Sequence, residues 1–213
     1  MNTTFLPYIV PFAAFLILTY AGTGIPRGAY WLYPIKTLVV GGLLLYYRTS
    51  YAELRWKFSR RTLAEALAVG IIVFIVWVAP DRWYPHLGSS EFDPYTFGRN
   101  WLAVALIAFR LIGAALVVPI FEELFWRSFA LRWLIKEEFT EVPIGAFSWF
   151  SCIAVVLAFG FEHHQWLVGL LAGIAYNALL YRTKNLSACV LAHAVTNLLL
   201  GVYVLWTHQW NFW

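Results

Sequence analysis

Three short groups of polar residues interrupt the apolar second half of this chain: Glu122-Glu123 with Arg127, Phe159 with His163, and His193 with Asn197. Lipid penalises ionisable side chains, so those within membrane helices are functional candidates by default. On a helix, residues four apart share a face. Glu123 and Arg127 can therefore pair, while Glu122 points about 100° away. The pairing keeps Glu123 ionised and ordering its surroundings. Glu122 is left in a poorly solvated place that suits a general base. His193 and Asn197 project into one space and together offer hydrogen-bond donors to a developing oxyanion. A carboxylate and a histidine that hold one water can deliver it to a carbonyl, with no covalent enzyme intermediate. The chemistry that fits is hydrolysis of an acyl bond by activated water.

Each group also has a plainer reading. Two acids at a helix start favour the helix dipole. A histidine at a membrane boundary is commonly an interfacial polar residue, and Glu162 and His164 are read that way because neighbours in sequence point to different sides. His193 and Asn197 could bond between helices. The three groups together outweigh each alone. Ser148, Ser151, Ser187 and Thr196 read as packing or backbone-bonding residues, and Cys152 and Cys189, both inside apolar runs, as small packing residues.

The elements that must position these residues are membrane helices. The chain has 213 residues, of which 62% are hydrophobic and 12% charged. That is about half the charge of a soluble domain. Apolar runs at roughly 5–24, 30–47, 63–80, 101–119, 145–162, 164–181 and 187–206 fill the length, with a further apolar helix near 120–135 after Pro119. Runs of about 18 apolar residues read as membrane spans. The expectation is an all-α, polytopic transmembrane bundle of about seven to eight helices, forming one integral membrane domain over 1–213. The first run lacks a basic leading segment and reads as a retained helix. Trp31, Trp83, Tyr84, Trp101, Trp206, Trp210 and Trp213 lie at run ends, where interfacial belts form.

The net charge of +4 belongs to short loops and carries no nucleic-acid signal. Arg48, Arg55, Lys57, Arg60 and Arg61 follow the second run, which places that connector in the cytoplasm. The loop 81–100, with Asp81, Glu91 and Asp93, then lies outside. About seven crossings result. Arg110 falls inside a span and needs a partner or a wet cavity. This simple topology puts Glu122, His193 and Asn197 near one face and His163 near the other, about 30 Å apart. A working site therefore requires a different topology somewhere between 101 and 181.

Glu-Glu-x-x-x-Arg, Phe-x-x-x-His and His-x-x-x-Asn, in that order on membrane helices, resemble the motifs of the CAAX prenyl protease and bacteriocin-processing family of intramembrane proteases. Here they are Glu122-Glu123…Arg127, Phe159…His163 and His193…Asn197. The resemblance covers residues 122 to 197. The first hundred residues look like the smaller prokaryotic branch found with exosortase protein-sorting systems. The resemblance implies a metal-independent, glutamate-type endopeptidase that cuts a peptide bond near the membrane. By it, Glu122 and His163 activate the water, His193 and Asn197 form the oxyanion site, and Glu123 and Arg127 support the first helix. Family members often have Gly after the motif arginine; here it is Ser128, also small. A glutamate and two histidines could make a zinc set, but no His-Glu-x-x-His pattern is present and the resemblance implies no metal and no cofactor. The implied setting is the inner membrane of a prokaryote. The implied partners are membrane lipids, a membrane-associated protein or peptide substrate, and an exosortase-type sorting system. A prokaryotic host lacks the usual prenylated substrates, so the prenyl label is not taken literally.

Two other classes fit part of the pattern. A non-catalytic scaffold of a sorting or immunity system would keep the fold without bringing the polar residues together. A small transporter would use Arg110, Glu122 and His163 on an ion path, but no internal repeat is visible. A rhomboid-like serine protease would want a Gly-x-Ser-x-Gly loop, which is absent. Gly169 and Gly173 read as a close helix contact inside the bundle.

Overall fold

Residues 4–88 and 92–213 are described by the structure, a computed structural model. Glu91, assigned above to the outer loop, lies outside them. Among the described residues seven long helices follow one another: α1 (Leu6–Thr23), α2 (Gly28–Tyr46), α3 (Arg60–Val78), α4 (Trp101–Trp133), α5 (Trp149–Glu162), α6 (Trp166–Thr183) and α7 (Leu186–Thr207). Five of them, α1, α2, α3, α4 and α7, are long and apolar enough to cross a membrane. The apolar run expected over 145–162 yields a helix only from Trp149, and the more polar α6 completes a hairpin with it.

The largest departure from the sequence reading is α4. Two elements meeting at Pro119 were expected, and one 33-residue helix is present. Proline normally breaks a helix because it lacks an N–H and crowds the preceding turn. Here the turn before it, Gly113–Val117, is π-helical, and Val118 N–H bonds back five residues to the Gly113 carbonyl. The wider turn accommodates the ring. In that register the next bond would run from residue 119 to the Ala114 carbonyl, and Pro119 has no proton for it. The gap is filled from another helix: Asn197 Nδ2 donates to the Ala114 oxygen at 2.8 Å. A second π-helical stretch, Leu124–Ala130, follows the two glutamates.

Aromatic packing seats α1 on α4. Phe12 stacks on Phe125 with centroids 3.8 Å apart, and Phe15 lies 4.8 Å from Phe121. Glycine lets backbones meet elsewhere. A Cβ on Gly70 of α3 would sit 2.6 Å from the Ala192 carbonyl of α7. Between α5 and α6, a Cβ on Gly169 would lie 3.0 Å from the Gly160 oxygen, and one on Gly173 3.3 Å from the Phe159 ring. The Gly-x-x-x-Gly pair thus packs inside the bundle, as its sequence reading held.

Polar contacts gather the helix ends. At one end Glu65 accepts from Arg61 and Arg182, Arg132 pairs with Glu53 at 3.3 Å, the Lys184 ammonium donates to the Gly145 carbonyl, and Asn185 Nδ2 donates to the Lys57 carbonyl. The basic connectors therefore share one end. At the other, Asp81 accepts from Gln165 at 2.5 Å and from Asn211 at 3.3 Å. Trp83, Trp101 and Trp206 are largely exposed, as an interfacial belt requires. Trp213 departs from that expectation. The turn Trp210–Phe212 folds the chain back, and Trp213 is buried against Phe92 and Trp210.

Candidate functional site

Counting along each helix from the basic end shows why the motifs meet. Glu122 lies 11 residues from the end of α4, His193 and Asn197 lie 7 and 11 residues into α7, and His163 follows the 14 residues of α5. At 1.5 Å per residue these are heights of about 10 to 21 Å. The conflict in the sequence topology came from treating α5 as a full crossing. Its rise of about 21 Å falls short of the roughly 30 Å of a hydrocarbon core, so His163 stops within reach of the other motifs.

Glu122, His163, His193 and Asn197 all line one cavity of about 230 Å³. Glu122 is buried, and its Oε2 has no hydrogen-bond partner. Behind it, Glu123 and Arg127 are fully buried and pair at 3.2 Å, the four-residue contact expected from the sequence. The Arg127 guanidinium lies 4.2 Å over the Phe159 ring, which gives the phenylalanine of the second motif a physical task. Glu123 Oε1 also meets His193 Nδ1 at 2.9 Å. One carboxylate oxygen thus ties α4 to α7.

These contacts settle what each imidazole can offer. A carbonyl only accepts, so the 2.8 Å contact of His163 Nδ1 with the Phe159 carbonyl puts a proton on Nδ1. In the neutral ring Nε2 is then a lone pair, the form that takes a proton from water. Trp77 of α3 packs edge-on against this ring at 5.4 Å, and its indole N–H donates to Gln165 at 2.6 Å. His193 Nδ1 faces a carboxylate and is likewise the protonated nitrogen. Its Nε2 donates only when the ring is an imidazolium, whose countercharge is Glu123. Tyr176 stacks on the His193 ring at 5.1 Å and donates to Thr196. Thr196 in turn donates to the Gly70 carbonyl at 2.9 Å.

Arg110 also lines the cavity, so its side chain faces a polar-lined space inside the bundle. Its guanidinium lies over Tyr33 at 4.2 Å and Phe92 at 5.0 Å. Among the described residues no three His, Cys, Asp or Glu side chains are placed to hold a metal ion.

The sequence reading missed two residues here. Glu162 and His164, taken for interfacial groups, both line the cavity. Glu162 Oε2 accepts from the Trp126 indole at 3.2 Å. The signal was present in the spacing: Glu162 is three residues from Phe159, and such residues share a helix face just as those four apart do.

Comparison with protein families matches the model of the type II CAAX prenyl endopeptidase Rce1-like family over residues 104–199, a stretch that holds all three motifs. Comparison with curated proteins gave no match, and comparison with solved structures gave none. Residues 104–199, most of α4 and the helices that bring His163, His193 and Asn197 to it, are thus similar to the Rce1-like family of type II CAAX prenyl endopeptidases.

Proposed function

We propose that the chain is a metal-independent, glutamate-type intramembrane endopeptidase, with Glu122 and His163 activating water and His193 and Asn197 holding the oxyanion. The observation that carries this reading is the shared cavity with an unpartnered Glu122 oxygen. Water held between Glu122 and His163 Nε2 loses a proton as its oxygen attacks the peptide carbonyl. The carbonyl oxygen becomes an oxyanion. Imidazolium His193, countercharged by Glu123, donates to it through Nε2. Asn197 donates through the amide hydrogen not engaged by Ala114. Glu123 and Arg127 orient these groups and do not touch the substrate.

The substrate class on this reading is a membrane-associated protein or peptide, and the setting the inner membrane of a prokaryote, with an exosortase-type sorting system as partner. The test uses purified full-length protein in lipid nanodiscs and a panel of internally quenched peptides, with and without a farnesylated cysteine. Wild type cleaves at least one member, and Glu122→Ala loses about 10²-fold or more in rate while keeping its melting temperature. A folded wild type inert toward the whole panel, or an active Glu122→Ala, rejects the reading and favours a scaffold.

A further inference from the structure

We infer that Glu162 is a second catalytic carboxyl, the general acid that protonates the departing nitrogen; this rests on the hydrolase reading above. The position is a poor one for a purely structural glutamate. Glu162 is the last residue of α5, where the helix dipole disfavours negative charge. The motif cation Arg127 is engaged by Glu123. The one described hydrogen bond to Glu162 comes from the neutral Trp126 indole. That bond fixes Oε2 as an acceptor and leaves Oε1 to carry a proton. Trp126 is four residues beyond Glu122 on α4, so the helix that presents one carboxyl to the cavity also holds the other.

The second carboxyl in the cavity is Glu122, buried and with an unpartnered oxygen. Two carboxylates in one poorly solvated space do not both ionise, and a pair held in unlike environments divides into acid and base. Arg110, His163, His164, Tyr176 and His193 are the other titratable or charged groups lining this cavity, and the buried Arg127 lies behind it. Glu162 keeps the proton because it ends α5, at the negative pole of the helix dipole. Glu122 faces the water.

The proton balance closes with these groups alone. Glu122 takes one proton from water as the C–O bond forms. Glu162 gives its proton to the amide nitrogen as the C–N bond breaks, releasing a carboxylic acid and an amine. Glu122 then returns its proton to Glu162 through water in the emptied cavity, which restores both groups. A peptide nitrogen cannot leave as an anion, whereas a thiolate can leave unprotonated. The acid therefore matters for an amide and not for a thioester.

The test compares the best-cleaved peptide of the panel with its analogue bearing a thioester at the scissile bond. Glu162→Gln is expected to slow the amide by about 10² to 10⁴-fold and the thioester by no more than about threefold. Glu162→Asp should recover part of the amide rate. Trp126→Phe, which frees the carboxyl to rotate, should give a smaller loss confined to the amide. Glu122→Gln should slow both substrates. Equal losses on both substrates in Glu162→Gln, or no loss on either, overturn the acid while leaving the hydrolase reading intact. A wild type inert toward every peptide overturns that reading, and the acid with it.

Discussion

The buried Glu123–Arg127 pair makes an energetic prediction that distinguishes a stabilising contact from a positioning one. At 3.2 Å, with an effective dielectric constant of 20, the Coulomb attraction is about 5 kcal/mol. Desolvation opposes it: both side chains are fully buried, and Arg127 Nε and Nη2 have no partner. Removing one member strands the other charge, which costs roughly 3–5 kcal/mol, whereas replacing both by apolar groups is often neutral or better. Arg127→Met and Glu123→Leu should each lower the melting temperature by roughly 6 to 20 °C, from about 2–4 °C per kcal/mol in a chain of this size. The double variant should return to within about 2 kcal/mol of wild type. It should nevertheless be inactive, because His193 Nδ1 loses its acceptor. The assay is thermal unfolding in nanodiscs beside peptide cleavage. Single variants within about 1 kcal/mol of wild type, or a double variant as unstable as the two losses added, would refute the reasoning.

Three further outcomes follow from the packing. Asn197→Leu strips the Ala114 carbonyl of its donor and should cost about 1–3 kcal/mol; adding Pro119→Ala supplies an N–H in the π-helical register and should recover much of that loss in the same melting assay. In Gly160→Ala the new methyl would lie 2.6 Å from Leu170 Cγ and 2.9 Å from its backbone nitrogen. Forcing α5 from α6 should destabilise by about 1–3 kcal/mol or more and depress cleavage, since His163 N–H bonds to the Gly160 carbonyl. Trp77→Phe removes the indole proton that reaches Gln165 and should cost about 0.5–1.5 kcal/mol, a shift of a few degrees with activity reduced only modestly.

The sequence carried local geometry well and depth badly. Four-residue spacing was enough to pair Glu123 with Arg127 and to put His193 and Asn197 on one wall, because helical neighbours are fixed by the backbone alone. The depth of His163 was not legible. Hydropathy marked 145–162 as apolar without showing that the helix starts at Trp149. Pro119 misled for a related reason: its missing donor is supplied by a residue 78 positions later, and no local pattern records that. Trp213 looked interfacial because its burial depends on a turn against Phe92. Glu162 was overlooked although its spacing from Phe159 was informative, since a glutamate before two histidines at a run end resembles an ordinary boundary.

The missing hydrogen-bond donor at Pro119 also orders events during biogenesis. A chain made from its N-terminus delivers α4 to the bilayer before α7 exists. Until Asn197 arrives, the Ala114 carbonyl has no protein donor, and a backbone group left so in hydrocarbon costs several kcal/mol. The motif helix is therefore incomplete until the last helix docks, and the same docking brings His193 to Glu123. A nascent protein stalled after α6 would hold both glutamates without the groups that complete the cavity, so hydrolytic competence waits on α7.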